Sequence, residues 1–171
     1  MYEGEFWPDY LHVGGAAHAI FPVALRYCIG RGIDVGAGYW PFPGAISVDP
    51  FRGKGKETSV DSFEPGSLDY VFSSHCLEHI ENPGDAIRAW RDLIRPGGIL
   101  FLYLPHERCL IWRPGSPFVK EGHRWSPTYE AVSEMLVSRG MEIIGGDPGP
   151  DAMWSFHLVG RVVPSPKSGP S

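Results

Sequence analysis

The chain lacks an apolar run that approaches the length of a bilayer span, and no signal-peptide pattern stands at its N-terminus. Neither a membrane segment nor secretion is therefore expected. Positive charge is in short supply, with 15 Lys and Arg against 20 Asp and Glu and a net charge of −5. That balance removes the electrostatic ground for a nucleic-acid or anionic-membrane partner. Cysteine is scarce and odd in number: the 3 thiols, Cys28, Cys76 and Cys109, include no C-x-x-C spacing. A disulfide framework is thereby excluded, and reduced thiols in a cytoplasmic protein are the expectation. Internal repeats are also missing. What remains is a hydrophobic content of 43% with 13% aromatics, enough over 171 residues for one packed core. A single domain over residues 1–163 is expected, followed by a disordered tail, 164–171, rich in proline, serine and glycine.

The stretch from Arg31 to Pro50 organises the chain. A buried-type strand, Gly32–Val35, runs into a turn with Gly36 and Gly38; a second strand, Ala45–Val48, ends at the carboxylate of Asp49. In a parallel α/β sheet, ligands lie beyond the carboxyl ends of the strands. Glycines there admit a ligand close to the backbone, and a carboxylate ending the next strand suits the two hydroxyls of a ribose. A dinucleotide fits poorly, because Pro41 occupies the place of the third glycine of its fingerprint. Only Tyr39 to Gly44 separates the turn from the second strand, with prolines at 41 and 43. A crossover helix needs about ten or more residues, so none is expected, and a pyrophosphate would have no helix N-terminus to meet. A nucleoside without phosphates, S-adenosylmethionine, suits the turn better.

The remaining elements follow from periodicity. Phe21–Ile29 reads as a short helix, Glu57–Val60 as a short strand ending near Asp61 and Ser62, and Leu68–Ser74 as a buried strand. Residues 84–94 repeat apolar positions at helical spacing, and Arg95-Pro96-Gly97-Gly98 ends them before an apolar strand at Ile99–Leu104. A long loop, 105–126, carries His106, Arg113, His123 and Arg124. A helix from Pro127 to Gly140 precedes two closing strands, Met141–Ile144 and Ser155–Val163.

Four segments together resemble class I S-adenosylmethionine-dependent methyltransferases: Ile-Asp-Val-Gly-Ala-Gly (33–38), Ser-Val-Asp (47–49), the run Ser67 to Ile80 with its Ser-Ser-His-Cys-Leu-Glu-His, and Leu-Ile-Arg-Pro-Gly-Gly (93–98). The resemblance implies a Rossmann-like, doubly wound seven-stranded sheet with an antiparallel last strand, here without the helix between the first two strands. It implies S-adenosylmethionine as cofactor, with Asp34, Gly36, Ala37 and Gly38 at the methionine end, Asp49 and Pro50 at the ribose, Asp61 and Ser62 at the adenine, and Ser74 and His75 near the methionine portion. Within the family the short crossover is similar to a branch thought to act on sugars, surface polysaccharides or small metabolites. A cytoplasmic methyltransferase acting on a hydroxyl of a small-molecule or glycan acceptor, monomeric or homodimeric, is the expectation. A non-catalytic cofactor-binding domain serving an enzyme partner is the alternative.

Methyl transfer from a sulfonium needs alignment above all, and a hydroxyl acceptor additionally benefits from a base. Imidazoles titrate in the right range, so His75, His79, His106 and His123 are the plausible bases; His75, at the strand end facing the cofactor's methyl side, is the best placed, and His79 and His123 are the other catalytic candidates. Tyr39 and Trp40 either meet the cofactor or plug the gap left by the missing helix. His75-x-x-Glu78-His79 also parallels the Glu-x-x-Glu-His of methyltransferases that hold a divalent ion, a reading in which His123 is the candidate fourth ligand. Since histidine replaces the first carboxylate, no metal is assigned from the sequence, and a metal-assisted O-methyltransferase stays a further alternative.

Overall fold

Alternating side chains along two central strands divide the core into two layers, one on each face of the sheet. The computed structural model describes residues 15–49, 59–119 and 122–164. Among them lie strands β1 (Gly32–Val35), β2 (Ile46–Val48), β3 (Leu68–Ser74), β4 (Ile94–Pro105), β5 (Met141–Asp147) and β6 (Ser155–Val162), with helices α1 (Ala17–Ala24), α2 (Pro83–Leu93) and α3 (Tyr129–Val137). On β4, Leu100, Leu102 and Leu104 join the layer beneath α2 and α3, alongside Ile87, Trp90, Val132 and Leu136. Their neighbours Phe101 and Tyr103 face the opposite layer with Tyr70 and Phe72 of β3 and Ile20 and Ala24 of α1. This period of two is what an extended chain buried on both faces requires.

The strand order is β2-β1-β3-β4-β6-β5. The first four strands are parallel, and β6 runs antiparallel to both β4 and β5. The fold class is therefore the one expected, with six strands among the described residues instead of seven. The third expected strand, Glu57–Val60, lies partly outside the described residues; at its described end Val60–Ser62 is a 3-10 turn capped by Ser59, whose hydroxyl accepts from Asp61 N at 3.3 Å. A hydroxyl satisfying that amide favours the turn over an extended ladder.

Other boundaries moved for local reasons. The first helix is Ala17–Ala24 instead of Phe21–Ile29. The third begins at Tyr129 because Thr128 is its cap, accepting from Ala131 N at 3.2 Å. Strand β4 starts at Ile94, five residues before the expected Ile99, since Ile94 already pairs with Leu68. The Pro96-Gly97-Gly98 segment is absorbed as an irregularity, with Gly97 at φ +81°.

No helix stands between β1 and β2, as expected, and Phe42 occupies that space. It is 1% exposed, stacks on Phe72 at 4.4 Å between ring centroids, and meets Phe21 edge-on at 5.3 Å. Tyr39 and Trp40 do not plug the gap: they are 76% and 43% exposed, with Trp40 against the His18 ring at 4.6 Å. A continuous aromatic row, Phe42, Phe72, Phe101 and His157, thus covers the face that a crossover helix would cover. No helix among the described residues is long and apolar enough to cross a membrane.

Candidate active site

The glycine turn grips both strands it joins. Gly36 N donates to Val48 O at 2.8 Å, and Gly38 N donates to Asp49 Oδ2 at 3.1 Å. Gly36 and Gly38 have φ of +81° and +53°, a region that side chains disfavour. A Cβ on Gly36 would lie 2.5 Å from the Cβ of Cys76, so only glycine lets this turn touch the segment that follows β3. That contact sets the cofactor turn and the histidine-bearing segment side by side at the carboxyl ends of parallel strands, where a ligand is expected. Cys76 itself is a packing residue here, since burial pushes its thiol up to about 12.

Asp34 and Asp49 have separate tasks. Asp34 is 1% exposed and its Oδ2 accepts from Phe42 N at 2.7 Å, so it fastens the short crossover to β1. Burial raises its carboxyl to about 7, the Phe42 amide offsets part of this, and Asp49 adds a smaller rise. A side chain so enclosed is not presented to a ligand, in contrast with the expectation that it meets the methionine end. Asp49 is half-buried at the tip of β2. Asp61 and Ser62 are exposed on their turn, where Asp61 Oδ2 accepts from Ser59 Oγ at 3.2 Å. Pro50 lies outside the described residues.

The chain turns sharply after Ser74. His75 has φ +49°, a left-handed conformation uncommon for a residue with a side chain, and its N–H donates to Tyr103 O at 2.8 Å. Leu77–His79 then forms a 3-10 turn. This path brings His75, Glu78 and His79 together with His123 from the long loop. Glu78 Oε1 lies 3.7 Å from His75 Nδ1, 3.9 Å from His79 Nε2 and 3.8 Å from His123 Nε2. Glu78 is 0% exposed, and among the described residues neither carboxylate oxygen has a hydrogen-bond partner.

Burial moves these groups apart in acidity. It lifts the Glu78 carboxyl to about 8, partly offset by its own backbone N–H. Burial and the neighbouring imidazoles lower His75 to about 3, and burial with His79 lowers His123 to about 4, although the Trp112 carbonyl opposes the latter. The three expected histidines therefore do meet, and the fourth, His106, stays outside, its Nδ1 accepting from Arg108 N at 3.0 Å. His75 Nε2 is engaged by Ser155 Oγ at 2.9 Å, whereas Nδ1 stands 3.7 Å from Glu78 Oε1, beyond hydrogen-bond length. Ser155 and Trp112 escaped the sequence reading because they come from β6 and from the long loop, at separations no local motif spans. His79, 33% exposed at its side chain, is the most open imidazole of the cluster.

Comparison with known proteins agrees with the fold. A family model described as a methyltransferase domain matches residues 51–102. A ubiquinone biosynthesis O-methyltransferase of Ralstonia nicotianae is 39% identical over 46 residues, covering 27% of this chain and 19% of that protein. Among the first curated relatives the match spans between 4% and 19% of their length. A SAM-dependent methyltransferase of Thermotoga maritima superposes with a TM-score of 0.66 at 15% identity, covering 89% of this chain and 91% of that one. The 1,6-didemethyltoxoflavin-N1-methyltransferase of Burkholderia thailandensis, solved with its substrate and S-adenosylhomocysteine, gives 0.61 at 14% identity, covering 91% and 80%. At such identities the structural likeness establishes the fold.

Proposed function

We propose, from the premise that the chain has the class I S-adenosylmethionine-dependent methyltransferase fold and a methyltransferase-domain match, that it methylates a hydroxyl of a small-molecule or sugar-containing acceptor. The observation that carries this reading is the contact of the glycine turn with the His75–Glu78 segment, Gly36 against Cys76. A backbone with no room for a Cβ, beside a half-buried carboxylate, fits a nucleoside and its amino-acid tail. Bound there, S-adenosylmethionine would supply an electrophilic methyl group on sulfur, already activated for in-line displacement.

The chain's own residues do the positioning. The turn Gly36-Ala37-Gly38 would hold the methionine end, together with the backbone at Ser74 and His75. Asp49 would accept from the ribose hydroxyls, and Asp61 with Ser62 would face the adenine. Asp34 serves by holding the short crossover in place. The acceptor would enter beside the histidines, and His79 is the imidazole best exposed to take its proton; a positioned base is worth about 10²–10⁴-fold.

A second reading, a nucleoside-binding module without chemistry of its own, draws support from His75, whose Nε2 is taken up by Ser155 Oγ and whose side chain is only 19% exposed. Titration calorimetry with S-adenosylmethionine, S-adenosylhomocysteine and NADPH tests the cofactor, and turnover against an acceptor panel separates the two readings. Asp49→Ala is expected to weaken S-adenosylhomocysteine binding at least tenfold, about 1.4 kcal/mol. Unchanged affinity would refute the ribose assignment.

A further inference from the structure

Three cations of this acidic chain, Arg88, Arg91 and Arg139, line one open groove of about 500 Å³ together with Asp92 and Ser138. Helix α2 supplies the first two, and the turn after α3 supplies the third. None of these residues belongs to the glycine turn or to the histidine segment. Arg139 is laid against α2: its Nε donates to Gly84 O at 2.6 Å, and a Cβ at Gly84 would push its Nη2 aside. Glycine weakens a helix, and here it makes room for a guanidinium. Arg91 Nη2 lies 3.7 Å from where a Cβ on Gly140 would stand, so it reaches the residue next to Arg139.

Most of the donors gathered there are unspent. Arg139 Nη1 donates to Met135 O and to Ser138 Oγ, each at 3.0 Å, while its Nη2 donates to nothing among the described residues. Arg91 Nη1 donates to Asp92 Oδ1 at 2.9 Å, and its Nε is buried without a partner among the described residues. Arg88 makes no hydrogen bond among them; its Nη2 stands 3.6 Å from Asp85 Oδ1, with both side chains exposed. Exposed pairs of that kind contribute little. Holding α3 to α2 therefore uses Nε and Nη1 of Arg139 and leaves the other groove donors without a task. A buried charged donor left unpaired is costly, and like charges three residues apart on a helix repel. An anion between the guanidinium groups removes both costs.

We propose that this groove binds a phosphate dianion, free or carried by a small organic molecule, through Arg88, Arg91 and Arg139. Three guanidinium charges less the one on Asp92 leave two, the charge that a phosphate dianion neutralises. Asp85 stays at the rim, 72% exposed. Guanidinium forks match phosphate oxygens with paired hydrogen bonds. A carboxylate, with two oxygens and one charge, would leave one arginine unmet. The groove is within the size range of small-ligand sites, so it admits the remainder of an organic phosphate beside the phosphoryl group. This site goes beyond the methyl-transfer reading and does not depend on it.

The test is titration calorimetry of the full chain in phosphate-free buffer of low ionic strength, with inorganic phosphate and glycerol 3-phosphate as probes and acetate as the carboxylate control. Saturable one-to-one binding at millimolar phosphate is expected, with acetate binding more weakly. Arg88→Gln and Arg91→Gln are each expected to weaken phosphate binding about tenfold. Circular dichroism checks their folding, and Arg88, which makes no hydrogen bond among the described residues, guards against loss of structure. Tighter binding of glycerol 3-phosphate than of inorganic phosphate assigns an organic phosphate; equal or weaker binding assigns the free ion. No saturable heat with either probe, acetate binding as tight as phosphate, or equal binding by wild type and both folded variants overturns the proposal. S-adenosylhomocysteine titrated into the same samples keeps the two readings apart, since a chain that binds phosphate and no nucleoside refutes only the methyl-transfer reading.

Discussion

A side chain at position 36 would collide with its neighbour: the added Cβ meets Cys76 Cβ at 2.5 Å and Sγ at 2.7 Å. The backbone there is left-handed besides, at φ +81°. Gly36→Ala is accordingly expected to lower stability by about 1–3 kcal/mol and to lower S-adenosylhomocysteine affinity, measured by urea denaturation and calorimetry. Retention of both would detach the turn from the site. Gly36 and Asp49 were legible from sequence because the chemistry of a strand-end turn is local. The task of Asp34 was not, since it depends on the Phe42 amide arriving at 2.7 Å across a crossover of unusual brevity. Glu78 was legible as a motif member, but its burial without a partner was not.

Among the elements, the crossover between β1 and β2 departs furthest from the helical connection usual between parallel strands. A helix is replaced by one aromatic ring set into a row of others, with Phe42 on Phe72 at 4.4 Å and Phe72 on Phe101 at 5.6 Å. Removing a buried phenyl leaves a cavity the sheet cannot close. Phe42→Ala should cost about 3–5 kcal/mol in chemical denaturation, and a loss below about 1 kcal/mol would show that the ring does not substitute for the helix. The sequence excluded the helix through its two prolines and its length; it did not say which of three neighbouring aromatics would go inside. All three are large aromatics at adjoining positions, and the one that went inside is Phe42, which carries no polar atom to satisfy. Strand β4 is similar: its apolar run was plain, whereas its start at Ile94 required the pairing partner Leu68.

For the whole molecule, four buried groups set opposing pH dependences. The folded chain holds protons on Asp34 to about pH 7 and on Glu78 to about pH 8, above their ordinary 3.8 and 4.5. It sheds those of His75 and His123 near 3 and 4, below the ordinary 6.5. Raised carboxyls make stability fall as pH rises; depressed imidazoles make it rise. Between about pH 4.5 and 6.5 these two carboxyls oppose these two imidazoles, leaving the half-buried His157, also lowered by burial, to add a rise. Above about 6.5 the carboxyls act alone, and stability should fall towards pH 8. Glu78→Gln removes one falling contribution, so stability should rise from 4.5 to 6.5 at up to about 1.4 kcal/mol per pH unit. Urea midpoints against pH check this, and a profile unchanged by the substitution would refute it.

The amino-acid sequence by itself determined the α/β architecture, the missing crossover helix and the nucleoside-type turn. Each rests on periodicity, chain length or backbone freedom, properties a segment has before it meets any other. Tertiary structure alone decided that the carboxylate among these histidines is buried without a hydrogen-bond partner among the described residues, and that Ser155 and Trp112 bond two of the imidazoles. Those contacts join residues 11 to 80 positions apart. Only burial and the meeting of distant strand ends place such groups close enough to govern one another's charge.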